Sequence, residues 1–178
     1  MMNPKKYSVY KPNKRLAGAA FQFDCNPAKE SVFVEGANQI GEQMFDWSNK
    51  VVVKLSAADI AKLLTVLENK KPSIELFHDS TKTSKPFTES YSQPAPLQKP
   101  ATTAAANPAA ASLSVANPAP TLKSTTVSLS KGEYGFFIKA TRQYSDGKVA
   151  SVNMPLSDDE ALSLRLLLSA AIVRIYGW

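Results

Sequence analysis

One layout occurs twice in this chain, and it constrains the fold more than any other feature. The first copy runs from a polar turn, Phe45-Asp46-Trp47-Ser48-Asn49-Lys50, through the strand-like Val51-Val52-Val53-Lys54-Leu55 to Ser56, then into a helical stretch over about 57–69. The second runs from Tyr144-Ser145-Asp146-Gly147 through 148–155 to Leu156-Ser157, then into a helical stretch over about 158–176. Each copy is a turn, a strand ending in Leu-Ser, and a helix opened by that Ser. Each is also preceded by strand-like sequence. The chain therefore reads as sheet and helix, linker, sheet and helix, an α+β arrangement.

The local signals support this reading. Tyr7-Ser8-Val9-Tyr10 is a first short strand, and Pro12-Asn13 ends it. A second strand over 15–24 alternates Phe21 and Phe23 with Gln22 and Asp24, the pattern of a sheet with one wet face. A third strand covers 31–35, with a bend or bulge expected at Gly36. A fourth covers 51–55. Ser56 is suited to cap the first helix, because its hydroxyl can accept from an N–H that the helix leaves unpaired. Asp59 three residues on completes a box-like cap. Ile60, Leu63, Leu64 and Leu67 then fall on one face. A fifth strand covers 73–77. After the linker come strands over 122–129, 134–144 and 148–155, with Asp146-Gly147 as a hairpin turn. Ser157 and Glu160 form a second S-x-x-E cap.

The stretch 80–121 differs in kind. It holds seven of the 12 prolines, at Pro86, Pro94, Pro96, Pro100, Pro108, Pro118 and Pro120, and most of the remainder is Ala, Ser and Thr. Such a composition buries too little apolar surface to offset the entropy of ordering, so a flexible linker is expected here. The expected organisation is a single domain over 1–178, made of a first half 1–79, this linker, and a second half 122–178. The second helix is apolar almost all round, from Leu162 and Leu164 to Val173 and Ile175. One sheet in a chain of 178 residues cannot cover it, so burial between subunits, hence a homo-oligomer, is expected.

Charge and chemistry point to binding rather than catalysis. The net charge of +6 favours anionic partners. Lys5, Lys6, Lys11, Lys14 and Arg15 precede the first acid, Asp24, a basic arm suited to phosphate contact. His78 is the only histidine and Cys25 the only cysteine, which removes intramolecular disulfides and gives no metal-ligand spacing. No Gly-rich phosphate loop or nucleophile elbow is present. The reading is not an enzyme and no cofactor. His78-Asp79 reads as a structural hydrogen-bonding pair. Arg165 and Arg174 are expected to pair across subunits. No apolar run reaches the roughly 18 residues of a membrane span. Without a visible signal or transit peptide, the expected place is the cytoplasm of a bacterial or viral system, with the nucleus as the alternative.

Five segments, in order, carry a resemblance. They are Tyr7-Ser8-Val9-Tyr10-Lys11; Phe45-Asp46-Trp47 with Lys50, Leu55-Ser56 and Ile60; Leu76-Phe77-His78-Asp79; Phe136-Phe137; and Ile175-Tyr176-Gly177-Trp178. Together they resemble the Whirly family of single-stranded DNA-binding proteins. The resemblance implies two four-stranded antiparallel sheets packed against each other, each with one helix, the helices forming the core of a homotetramer. It also implies binding of single-stranded DNA with little sequence preference, and the leading reading of the chain is protection of exposed strands during replication, recombination or repair. Single strands are held by cations on phosphates and aromatic faces on bases. The stacking candidates are Tyr10, Phe21, Phe33, Phe45 and Trp47. The backbone candidates are Lys11, Lys14, Arg15, Lys50, Lys54, Lys139 and Arg142. Two alternatives are single-stranded RNA binding, and a structural or interaction protein whose linker recruits partners.

Overall fold

The computed structural model of the chain describes residues 6–81 and 120–178. The linker expected over 80–121 lies almost wholly outside the described residues, as do Met1 to Lys5. The first sheet contains β1 (Tyr7–Lys11), β2 (Ala19–Asn26), β3 (Ser31–Gly41), the two-residue β4 (Met44–Phe45) and β5 (Val51–Ser56). β5 leads directly into α1 (Ala57–Leu67). The second sheet contains β6 (Ser73–Asp79), β7 (Leu122–Gly132), β8 (Gly135–Tyr144) and β9 (Val149–Leu156), followed by α2 (Asp158–Tyr176). All pairings are antiparallel, in the order β1-β2-β3-β5 with β4 against the far end of β3, and β6-β7-β8-β9. The doubled layout is thus two sheets, each feeding a helix, but the halves do not divide at the linker: β6, expected in the first half, pairs with β7 in the second sheet, because the chain leaving α1 crosses over before the linker begins.

Alternation along the strands decides which side faces in. Val9, Phe21, Phe23, Val34, Val53 and Leu55 of the first sheet share one core with Leu129, Ile138, Val152 and Met154 of the second. Full burial of each such side chain contributes about 1.5–3 kcal/mol. α1 adds Ile60, Leu63, Val66 and Leu67 to this core. Leu64, placed on the stripe by spacing alone, is only partly buried, and Val66 takes the inner position instead. The cap expected at its start is present: Ser56 Oγ accepts from the Asp59 N–H, and Asp59 Oδ2 accepts from the Ser56 N–H at 3.0 Å. At α2, Glu160 Oε2 accepts from the Ser157 N–H at 2.9 Å.

α2 has two apolar faces. Ala161, Leu164, Leu168 and Ala171 form the buried stripe. Leu162, Leu166, Leu167, Val173 and Tyr176 lie largely open.

Three local expectations are corrected. Gly36 is neither a bend nor a bulge: β3 passes through it in unbroken register with Phe21 and Val51. A Cβ there would lie 3.1 Å from the Phe21 ring and 3.2 Å from Val152, so the glycine admits close packing between the sheets. The register shift falls later, between Gln39 and Gly41. The second strand begins at Ala19, not at Arg15, because residues 12–18 form an ordered loop. His78 does not pair with its neighbour Asp79; its Nε2 lies 3.2 Å from Asp59 Oδ2, joining β6 to the start of α1. Phe136 is core, whereas its neighbour Phe137 is 42 % exposed on the outer face.

Candidate nucleic-acid interface

The outer face of the first sheet gathers most of the predicted side chains. Tyr10, at the end of β1, is exposed, with its ring 5.5 Å from Phe45 and 6.5 Å from Trp47, the latter edge-on. Trp47 sits on a short 3₁₀ turn (Trp47–Asn49) capped by Asp46, whose carboxylate accepts from the Asn49 N–H at 3.1 Å. Asp46 N–H in turn donates to the Asn38 carbonyl at 2.9 Å, which sets the turn against β3. Three aromatic rings from β1, β4 and this turn therefore form one half-exposed cluster.

Gln39 organises the surroundings of that cluster, and sequence reasoning passed over it. It is 6 % exposed, and its amide is fully used. Its Oε1 accepts from the N–H groups of Asn13 (2.9 Å) and Gly18 (3.0 Å), and its Nε2 donates to the carbonyls of Asn13 (3.1 Å) and Gly41 (2.8 Å). A buried amide with every bond satisfied fixes what it touches. Here it fixes the 12–18 loop, which holds Lys14 and Arg15 exposed to solvent. Gly18 has no room for a Cβ against the Lys11 carbonyl and the Gln39 amide, so the loop closes only with glycine there. No sequence pattern marks a buried Gln at the end of a strand as a loop anchor.

Further along the same face lies a charged centre. Glu35, mid-β3, accepts from Lys50 at 2.9 Å and Lys6 at 3.2 Å. Burial pushes its carboxyl pKa up, but the hydrogen bonds and charges of the two lysines outweigh that, and the pKa ends below the ordinary value. Beyond it, Phe33 is half-buried beneath Lys29, whose Nζ lies 5.3 Å from the ring centre, and Lys54 is its cross-strand neighbour.

Not every predicted residue joins this face. Phe21 is 0 % exposed, on the inner face among the core, so it cannot stack on a base. Alternation allowed either face, and the apolar partners Val9 and Gly36 decide it. Lys11 points to the other side and is ion-paired with Glu160 at 2.7 Å, tying β1 to the start of α2. Arg142 is a clasp between the sheets. Its guanidinium donates to the carbonyls of Lys50 (2.8 Å) and Asn49 (3.0 Å) and stacks on Tyr144 with 5.2 Å to the ring centre. Lys139 is exposed on the outer face of the second sheet, beside Ser128 and Asn153. That face also carries the exposed Phe77 and Phe137, which the sequence reading did not propose as contacts. Among the described residues no group of His, Cys, Asp and Glu could hold a metal ion.

The family model described as "Whirly transcription factor" matches residues 27–140. No curated protein sequence matches the chain. Solved structures do. The plant transcriptional regulator PBF-2 aligns with a TM-score of 0.62 at 18% identity, over 98% of this chain and 93% of that one. WHY3 from Arabidopsis thaliana aligns with a TM-score of 0.63 at 18% identity, over 98% of this chain and 90% of that one. WHY1 from the same plant gives 0.62 at 18%, over 98% and 92%.

Proposed function

This chain belongs to the Whirly family, and from that premise we propose that it binds single-stranded DNA with little regard to sequence. The strand crosses the outer face of the first sheet. Its bases stack on Tyr10, Phe45 and Trp47, and its phosphates meet Lys14 and Arg15. The observation that carries this reading is the half-exposed aromatic cluster lying at the end of β3 to which Gln39 also anchors the basic loop. Stacking on aromatic faces is sequence-tolerant because every base has a π-face, and cations on the backbone add charge neutralisation. Protection of exposed strands in replication, recombination or repair suits such a binder, with no catalytic step. The open apolar face of α2 supports assembly through that helix, and the reading extends to a homotetramer.

The test is fluorescence anisotropy with a labelled oligothymidine against the matching duplex at two salt concentrations. The expected result is binding to the single strand alone, with a log–log salt slope near −0.7 per phosphate neutralised. Equal binding to duplex, or affinity indifferent to salt, would overturn it. Competition with the matched RNA oligonucleotide separates the RNA alternative, since only contacts to the 2′-hydroxyl distinguish the sugars.

A further inference from the structure

The centre of the proposed face holds a carboxylate where a surface for polyanions should hold cations. Glu35 lies in the cross-strand row Gln22, Glu35, Val52, between the aromatic end of the face and the end that carries Phe33 and Lys54. It is 9 % exposed. Both its oxygens are engaged, Oε1 by Lys50 and Oε2 by Lys6, and Lys6 also lies 3.8 Å from Asp24. One acid thus occupies two of the cations nearest the centre of the face.

We propose that Glu35 is an internal counter-ion that limits affinity, competing with the phosphates of a bound strand for Lys6 and Lys50. The inference rests on the single-strand reading above and names what tunes the same site. A phosphate that draws either lysine away leaves a buried carboxylate short of a partner, which costs free energy. The two lysines and Glu35 together present one net positive charge instead of two. The strand is held less tightly at this point than the lysine count suggests, and it is released more readily. Lys14 and Arg15 carry no such restraint: among the described residues neither has an ion-pair partner.

Glu35→Gln keeps the shape and a hydrogen-bond acceptor while removing the charge. Anisotropy with labelled oligothymidine should show the variant binding roughly fivefold tighter at low salt, the effect of one unit charge at contact distance in water-like screening. The salt slope should steepen by about 0.7, one more phosphate neutralised. Unchanged or weaker binding with an equal or shallower slope would overturn the proposal, leaving Glu35 as a residue that merely positions the lysines. A second measurement needs no variant. In ¹³C-labelled wild-type protein the Glu35 carboxyl resonance should shift as oligothymidine is added, because its lysines become shared, and a resonance unmoved at saturation would overturn the proposal. Wild-type protein that binds no single strand removes the single-strand reading and this inference together. Wild-type binding with the wrong Glu35→Gln response removes the inference alone.

Discussion

Trp47 illustrates what a single residue position can and cannot reveal. Its place in a polar turn left burial and exposure both open, and it is half-exposed against Tyr10. Phe21, a stacking candidate as well but set in an alternating strand, is wholly buried. Alternation states that two faces differ without saying which is covered; that depends on the sheet stacked above, a long-range fact. Trp47→Ala should therefore weaken oligothymidine binding by about 1–3 kcal/mol per base lost, while denaturant unfolding shifts by only about 1 kcal/mol. The acids make a second residue-scale expectation. For Glu35, Asp59 and Glu160, burial raises the pKa, but hydrogen bonds and nearby cations more than offset it, and all three end below their ordinary values. The stability each contributes is complete above the ordinary carboxylate range and is lost as pH falls through the lowered values. Urea midpoints should hold near neutrality and drop below about pH 4, and Glu160→Gln should soften that acid limb.

At the scale of the element, the caps were the most legible signals, because capping depends on residues three apart in sequence. Ser56 with Asp59, and Glu160 with the Ser157 backbone, are both present. The start of β2 was less legible. Arg15 and Leu16 fit a strand by composition, yet the chain turns there with Leu16 at a φ of 56°, held by Asn13 and Gln39. α2 was legible as too apolar for solvent, but its division into a buried and an open stripe follows from where the sheets lie. The open stripe yields the element-scale prediction. Leu166→Glu or Val173→Glu should leave far-ultraviolet circular dichroism unchanged and convert the oligomer to smaller species by light scattering. A charge buried unpaired at such a face costs about 3–5 kcal/mol, more than a hundredfold in association. A monodisperse wild-type monomer in the same measurement would sink the oligomer reading.

The doubled layout carried the two-sheet architecture at the scale of the whole molecule, since the strands of each sheet follow one another in chain order, but it did not show that β6 joins the second sheet across the linker. The joining of the halves was not legible. Asn38 donating to the Ser151 carbonyl, and Arg142 donating to the carbonyls of Asn49 and Lys50, link residues about a hundred positions apart. The junction around the linker is compact: Asp79 pairs with Ser124, and the Ser80 N–H donates to the Lys123 carbonyl at 2.9 Å. Replacing 83–118 with a short Gly-Ser loop should thus preserve the fold and oligothymidine binding, as judged by thermal unfolding and anisotropy. The Arg142 clasp has one more consequence. The turn bearing Trp47 is bolted through its own carbonyls to β8 of the opposite sheet, so a ligand that steadies this turn also discourages local opening across the sandwich. Amide protons of β8 should exchange with deuterated solvent more slowly when a single strand is bound, although no base touches them, and Arg142→Lys should uncouple the two.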